Sequence, residues 1–176
     1  MHNLLLEYAL TLKFQKATII DFKEIQFNNT FRKYCKQNLC KNYNANYSCP
    51  PYCGSFNAVY KKISKYNNAL VLYSVYNLNN SNKNEISICK KEHNYQTLLI
   101  KKYLQDKGIK CVIAGAGNCD LCDKCNALNQ LPCNNVENRY SSTSAYCIDV
   151  YKLSLVANFE IIYTKNSVSL ISIVFF

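Results

Sequence analysis

Three cysteines separated by two residues each form the sharpest chemical feature of this sequence. They are Cys119, Cys122 and Cys125. Because gaps of two residues let a short loop wrap, three thiolates with this spacing can converge on one inorganic centre. Bacterial-type ferredoxins bind a 4Fe-4S cluster through such a run together with a more distant cysteine. Cys133 is the candidate for the fourth ligand of this centre or, like the last cysteine of the ferredoxin run, for a ligand of the other centre. With it these residues form the second cysteine group.

Four more cysteines lie earlier in the chain and form the first cysteine group: Cys35, Cys40, Cys49 and Cys53. They are enough for a complete site, although their spacing is less regular. The pair Cys49-Pro50 is similar to the cysteine–proline pair that ends ferredoxin ligand runs, where proline stiffens the turn. We therefore predict a protein that binds one or two 4Fe-4S clusters.

Zinc is the alternative metal for both groups, because four thiolates also suit a structural zinc site. Such sites usually separate two CxxC pairs by a dozen or more residues, whereas three cysteines in direct succession favour a cluster. With zinc, the chain would be a zinc-stabilised interaction module. A third class is an enzyme that uses an open cluster iron as a Lewis acid, and it predicts a site with only three cysteines.

The remaining cysteines and the histidines give no sign of catalysis. Cys89, Cys111 and Cys147 are expected to be small buried apolar residues, since cysteine is among the most buried residue types. His93 lacks the second histidine that a zinc-protease helix requires. His2 lies at the terminus. We predict no catalytic residue, and we expect the chain not to be an enzyme by itself.

Composition favours a reducing compartment. The 176 residues include eleven cysteines, an odd number that argues against complete disulfide pairing. The first residues lack a basic segment and reach Glu7 before any long apolar stretch, which is not a secretory signal. The longest apolar run, residues 168–176, is much shorter than the roughly 20 residues that span a bilayer. We expect a cytoplasmic protein without a membrane segment.

The formal net charge of +10 raises the question of nucleic-acid binding. The lysines are scattered in pairs, however, and no long basic run occurs. A 4Fe-4S core held by four thiolates carries about −2, so two clusters would lower the total to roughly +6. We do not expect nucleic-acid binding, and we expect a redox partner protein, in an electron-transfer or redox-accessory role.

Strands alternating with helices must position the two cysteine groups. Apolar and β-branched runs predict strands over residues 17–27, 69–75, 85–89, 109–114, 160–165 and 168–176. Helical periodicity predicts helices over 55–66, 92–107 and 142–157, with Ser55 as an N-cap and Gly108 as a C-cap. Residues 31–54 are predicted to form a ligand-bearing loop with one helical turn, and residues 76–84 a polar loop.

These elements predict the α/β class, as a two-layer α+β sandwich in a single cysteine-rich domain over residues 1–176. One mixed sheet is expected, with helices packed on one face. Both cysteine groups then lie in loops that adjoin the sheet. Ligands on loops fixed by a rigid scaffold are a common arrangement.

The cysteine pattern resembles domain-of-unknown-function family 2284, a prokaryotic family of predicted metal-binding proteins. Cys40-x2-Tyr43-x5-Cys49-Pro50-Pro51 is similar to its signature C-x2-Y-G-x4-C-P-P. Gly115-x3-Cys119-x2-Cys122-x2-Cys125, with Cys133, resembles its second signature. Ser142-x2-Ala145-x2-Ile148-Asp149-Val150 is similar to its helix S-x-E-A-x-G-I-D-V. The resemblance covers residues 35–153 and implies metal binding but no particular activity.

The chain departs from the family pattern at several positions. Asn44 and Cys147 stand where the family has glycine, and Ser144 stands where it has glutamate. Cys53 is an addition to the pattern. Any role of the family's glutamate therefore does not carry over to this chain.

Overall fold

A computed structural model describes residues 1–79 and 82–176 of the chain. The helices in this part of the chain are α1 (His2–Thr11), α2 (Arg32–Gln37), α3 (Phe56–Ile63), α4 (Lys83–Asp106) and α5 (Val150–Val156). The strands are β1 (Lys16–Asp21), β2 (Asn68–Asn77), β3 (Val112–Gly115), β4 (Ser141–Ser142) and β5 (Ser167–Phe175). Short 3-10 helices span Phe22–Glu24, Asn29–Phe31 and Asn126–Asn129.

The strands form one sheet in the order β1-β2-β5-β3-β4. Neighbouring strands are antiparallel except β3 and β4, which run parallel, so the sheet is mixed. The long strand β5 lies at the centre, with Phe175 opposite Ala69 of β2 on one side and Val112 of β3 on the other. The predicted class and the single mixed sheet are confirmed.

Helices pack on both faces of this sheet, which corrects the prediction of one covered face. Val71 and Ile173 share a buried cluster with residues of α3 and α5. Leu72 and Val174 face the opposite way and pack with residues of α1 and α4. The reason is that β2 and β5 are apolar at successive positions, and a strand buried on both faces needs cover on both.

Several predicted elements are confirmed in the structure. The runs 69–75 and 168–176 correspond to β2 and β5, and the capping role of Ser55 is correct, because its hydroxyl accepts a hydrogen bond from Ala58 N at 3.3 Å. The predicted strands 17–27 and 109–114 are shorter in the structure, as β1 and β3. Helix α1, for which no element was predicted, buries Leu5 and Ala9 against the sheet.

Three predictions of secondary structure are wrong. Residues 85–89 belong to α4, which begins at Lys83 because Asn82 caps it by accepting a hydrogen bond from Glu85 N at 2.8 Å. Residues 160–165 form only one bridge, between Tyr163 and Val168. The helix predicted over 142–157 begins at Val150, because turns occupy the preceding residues. Of the predicted loop 76–84, residues 80 and 81 lie outside the described residues.

The longest helix, α4, carries polar side chains even where it is buried, including His93, Asn94 and Thr97. Within residues 1–79 and 82–176, no helix combines the length and the apolar character that crossing a bilayer requires.

His93 is buried at the centre of this polar row. Its Nε2 lies 3.0 Å from Ser172 Oγ of β5, and that hydroxyl lies 2.7 Å from Thr97 Oγ1. Burial lowers the pKa of His93 to about 3. The imidazole is therefore neutral in the folded protein at all pH values well above this.

We expect the free energy of unfolding to fall as the pH drops from about 6.5 towards 3. In this window the unfolded chain binds a proton on His93 that the folded protein excludes, and the loss amounts to about 2 kcal/mol at pH 5. Urea unfolding of reduced, metal-free protein at pH 7.5 and 5 measures it. The variant His93→Gln has no imidazole to titrate, so its free energy of unfolding should fall less between pH 7.5 and 5. An equal fall in both proteins would contradict the prediction.

Candidate metal centres

The first cysteine group lies between α2 and α3. Cys35 is on α2, and the other three cysteines follow in successive turns. Arg32, at the start of α2, donates hydrogen bonds to Gly54 O at 3.0 Å and to Ala145 O at 2.6 Å. The first bond joins the start of α2 to the end of the cysteine-bearing segment, and the second attaches α2 to the turn before α5.

Three members of the first group line one cavity of about 180 Å³: Cys35, Cys40 and Cys49. Polar residues from distant parts of the chain also line it, among them Lys90 of α4 and Asn118. Cys53 is absent from this lining, and its thiol points to Gly54 O at 3.8 Å. The cavity is thus lined by three cysteines and by polar residues from distant parts of the chain.

Burial raises the thiol pKa of three members of the first group, Cys35, Cys49 and Cys53. It raises the pKa of the Cys49 thiol to about 11 and also raises the pKa of Cys35 and of Cys53, where the Arg32 guanidinium opposes the rise. The thiols of Cys40, Cys53 and Cys35 add smaller contributions to the rise at Cys49. A metal that binds here must displace protons, because only thiolates are good ligands.

The second cysteine group follows β3, and α4 holds its loop at two points. The side chain of Asn94 accepts a hydrogen bond from Ala116 N at 2.9 Å and donates one to Ala116 O at 3.3 Å. Lys101 donates to Glu137 O and, at 3.2 Å, to Asn138 Oδ1. Side chains of α4 therefore hold the loop by hydrogen bonds near both of its ends.

N–H groups point at three sulfurs of the second group. Tyr47 N donates to Cys125 Sγ at 3.5 Å, and Asn135 donates from its backbone to Cys133 Sγ at 3.4 Å and from its side chain to Cys122 Sγ at 3.2 Å. Such bonds stabilise metal-bound sulfur. Neither contact, from Tyr47 or from Asn135, was predicted from the sequence. The only signal was the position of Asn135, two residues after Cys133.

Residues 46–48, which we call the bridging segment, join the two groups. Ser48 is fully buried, its hydroxyl accepts a hydrogen bond from Cys119 N at 2.9 Å, and it lies 3.6 Å from Cys49 Sγ. Asn46 Nδ2 donates to Cys119 O at 2.9 Å, and Tyr47 OH donates to Leu131 O at 2.6 Å. The two cysteine groups are therefore neighbours.

Replacing Ser48 by alanine should lower the free energy of unfolding by about 1–2 kcal/mol, because the partly buried Cys119 N–H loses its acceptor. Urea unfolding of the metal-free protein measures the change. Ser64→Ala, at an exposed position after α3, is the matched control and should be within about 0.5 kcal/mol of the unmodified protein. Equal stability of the two variants would show that the bridge contributes nothing.

The thiols are grouped without being preassembled. All eleven cysteines are free. In the part of the chain that the structure describes, no three Cys, His, Asp or Glu side chains are arranged to hold a metal ion. The donor set nonetheless fits a thiolate-bound metal or cluster, because eight free thiols lie in two groups and N–H donors face three of the sulfurs. The exact ligand set stays a prediction.

The other three cysteines serve packing to different degrees. Cys89 on α4 and Cys147 are buried, as predicted, whereas Cys111 is only half-buried. Cys147 lies in a turn and not on the predicted helix, with a φ of 59°. Asn44 has a φ of 55°. Both positions are glycine in the family pattern, which suits the left-handed backbone found here.

An α/β scaffold that presents two groups of free thiols on adjoining loops is characteristic of a cysteine-rich metal-binding protein. The chain belongs to the family described as Predicted metal-binding protein (DUF2284), which matches residues 18–176. No curated protein and no solved structure matches the chain.

Proposed function

We propose that the protein binds one or two 4Fe-4S clusters and transfers single electrons to or from a redox partner protein, or supports such a partner. The observation that carries the proposal is the set of N–H donors aimed at Cys122, Cys125 and Cys133, in a loop with the C-x2-C-x2-C spacing. A cluster bound there would supply one-electron chemistry.

Residues of the chain would bind and tune this cofactor. Cys119, Cys122, Cys125 and Cys133 are the ligands that we assign to the second centre. The amide groups of Tyr47 and Asn135 would stabilise the added negative charge of the reduced state, because they already donate to the sulfurs.

The first centre would use Cys35, Cys40 and Cys49, with Cys53 as the further candidate. The bridging segment supports placing both centres in one unit, since Ser48 contacts the sulfur of Cys49 and the backbone of Cys119. Free thiols in this number also support a reducing compartment, and we propose that the protein is cytoplasmic.

Metal analysis of protein purified without oxygen tests the proposal. We expect a brown protein with broad absorption near roughly 400 nm, and about four or eight iron atoms per chain with as many sulfides. Zinc should be present only in traces. A colourless protein with stoichiometric zinc would overturn the proposal and favour a zinc-stabilised interaction module.

A further inference from the structure

The cavity of the first cysteine group opens beside a larger groove of about 690 Å³. Cavity and groove share four lining residues: Cys40, Asn42, Lys90 and Asn118. Whatever occupies the cavity next to Cys40 is therefore reachable from the groove.

Cys53 is not among the residues that the cavity and the groove share. It does not line the cavity, and its thiol points to the carbonyl of Gly54, near the guanidinium of Arg32. Arg32 is itself held by two carbonyl groups, so the local backbone is fixed. The cysteines that line the cavity are Cys35, Cys40 and Cys49, one fewer than a cubane cluster has iron atoms.

The groove is basic. Lys41, Lys83 and Lys90 line it, and none of the described residues that line it is acidic. Lys90 also reaches the cavity, where its side chain passes over Gly117, 3.5 Å from the position that a Cβ would take. A cationic group at the mouth of a metal site attracts small anions, and a carboxylate can both pair with an ammonium group and bind iron.

We propose that the first centre is bound by three thiolates, from Cys35, Cys40 and Cys49, and that its fourth iron is open to a small carboxylate that Lys90 pairs with from the groove. This inference rests on the proposed function, because it requires a cluster at the first centre. In this arrangement Cys53 has a structural role in the loop and is not a ligand, and the groove admits small carboxylates.

The iron content of cysteine variants shows whether three or four thiolates bind the first centre. In the full chain loaded with both clusters, Cys53→Ala should retain about eight iron atoms, whereas Cys49→Ala should fall to about four. If Cys53→Ala also falls to about four, Cys53 is the fourth ligand and the inference is wrong. If the unmodified chain holds about four iron atoms and Cys49→Ala loses none of them, the inference fails while the proposed function survives. A chain with zinc and no iron refutes both.

Electron paramagnetic resonance of the reduced protein tests the open position without any variant of Cys53. Glycolate, a small carboxylate, should shift the g values of one of the two cluster signals in a saturable manner. Lys90→Met should raise the glycolate concentration at half-saturation by about tenfold, because the ammonium partner is lost. Lys65→Met, exposed and outside the cavity and the groove, should leave it unchanged. A spectrum that glycolate does not alter, or equal effects of the two lysine variants, would overturn the inference.

Discussion

Replacing Cys125 by serine should remove the cluster of the second centre, about four iron atoms per chain, and leave the first centre loaded. Cys125 is the last thiol of the run and the one that receives the Tyr47 N–H. A serine oxygen is a poor substitute, because thiolate is the ligand that these clusters require. Iron and sulfide analysis after anaerobic reconstitution, with the absorption near roughly 400 nm, measures the loss.

Cys111→Ser is the matched control for this loss. Cys111 is half-buried near the start of β3 and belongs to neither cysteine group, and its thiol contacts Lys101 O at 3.8 Å. Its variant should retain the full iron content. The prediction fails if Cys125→Ser keeps as much iron as Cys111→Ser, or if both variants lose the same amount.

Gly115→Ala should lower the free energy of unfolding by about 3 kcal/mol, the upper end of the range for overpacked sites. Gly115 ends β3 directly before the second cysteine group, and an added Cβ would lie 2.5 Å from a ring carbon of Tyr140. That ring is buried, and its hydroxyl donates a hydrogen bond to Asp120. The ring cannot move aside without disturbing the loop that carries Cys119.

Gly108→Ala is the control for removing a glycine as such. Gly108 has a φ of 75°, so alanine is strained there, but no atom lies within 4 Å of the new Cβ. This variant should lower the free energy of unfolding by about 1 kcal/mol, because only the backbone conformation is strained. Urea unfolding of both metal-free variants gives the comparison, and a Gly115 variant no less stable than the Gly108 variant would contradict the steric argument.

Local signals in the sequence predicted the elements that local interactions decide. Ser55 caps α3 through its own side chain, and Gly108 follows α4 with the positive φ expected of a C-cap. The long apolar run 168–176 is β5 because it is buried on both faces at the centre of the sheet. These choices depend on a few neighbouring residues or on a strong apolar pattern.

The wrong predictions have different physical causes. The segment 85–89 has β-branched residues, yet it belongs to the first turns of α4, because the side chain of Asn82 caps this helix by accepting a hydrogen bond from Glu85 N. The turn before α5 is held by Arg32, which bonds Ala145 O from 113 positions away. No local signal announces such a bond.

By itself the sequence determined the chemistry of the donors: eight thiols in two groups, one with the spacing of a cluster ligand run. Thiolate ligation depends on residue type and on short loops, and both are visible in the chain. Only the tertiary structure decided that the groups adjoin, through a hydrogen bond between Ser48 and Cys119, 71 positions apart. It also brought Lys90 and Cys40 into the lining of one cavity and left Cys53 out of that lining, because packing of the helices and loops on the sheet decides which residues meet.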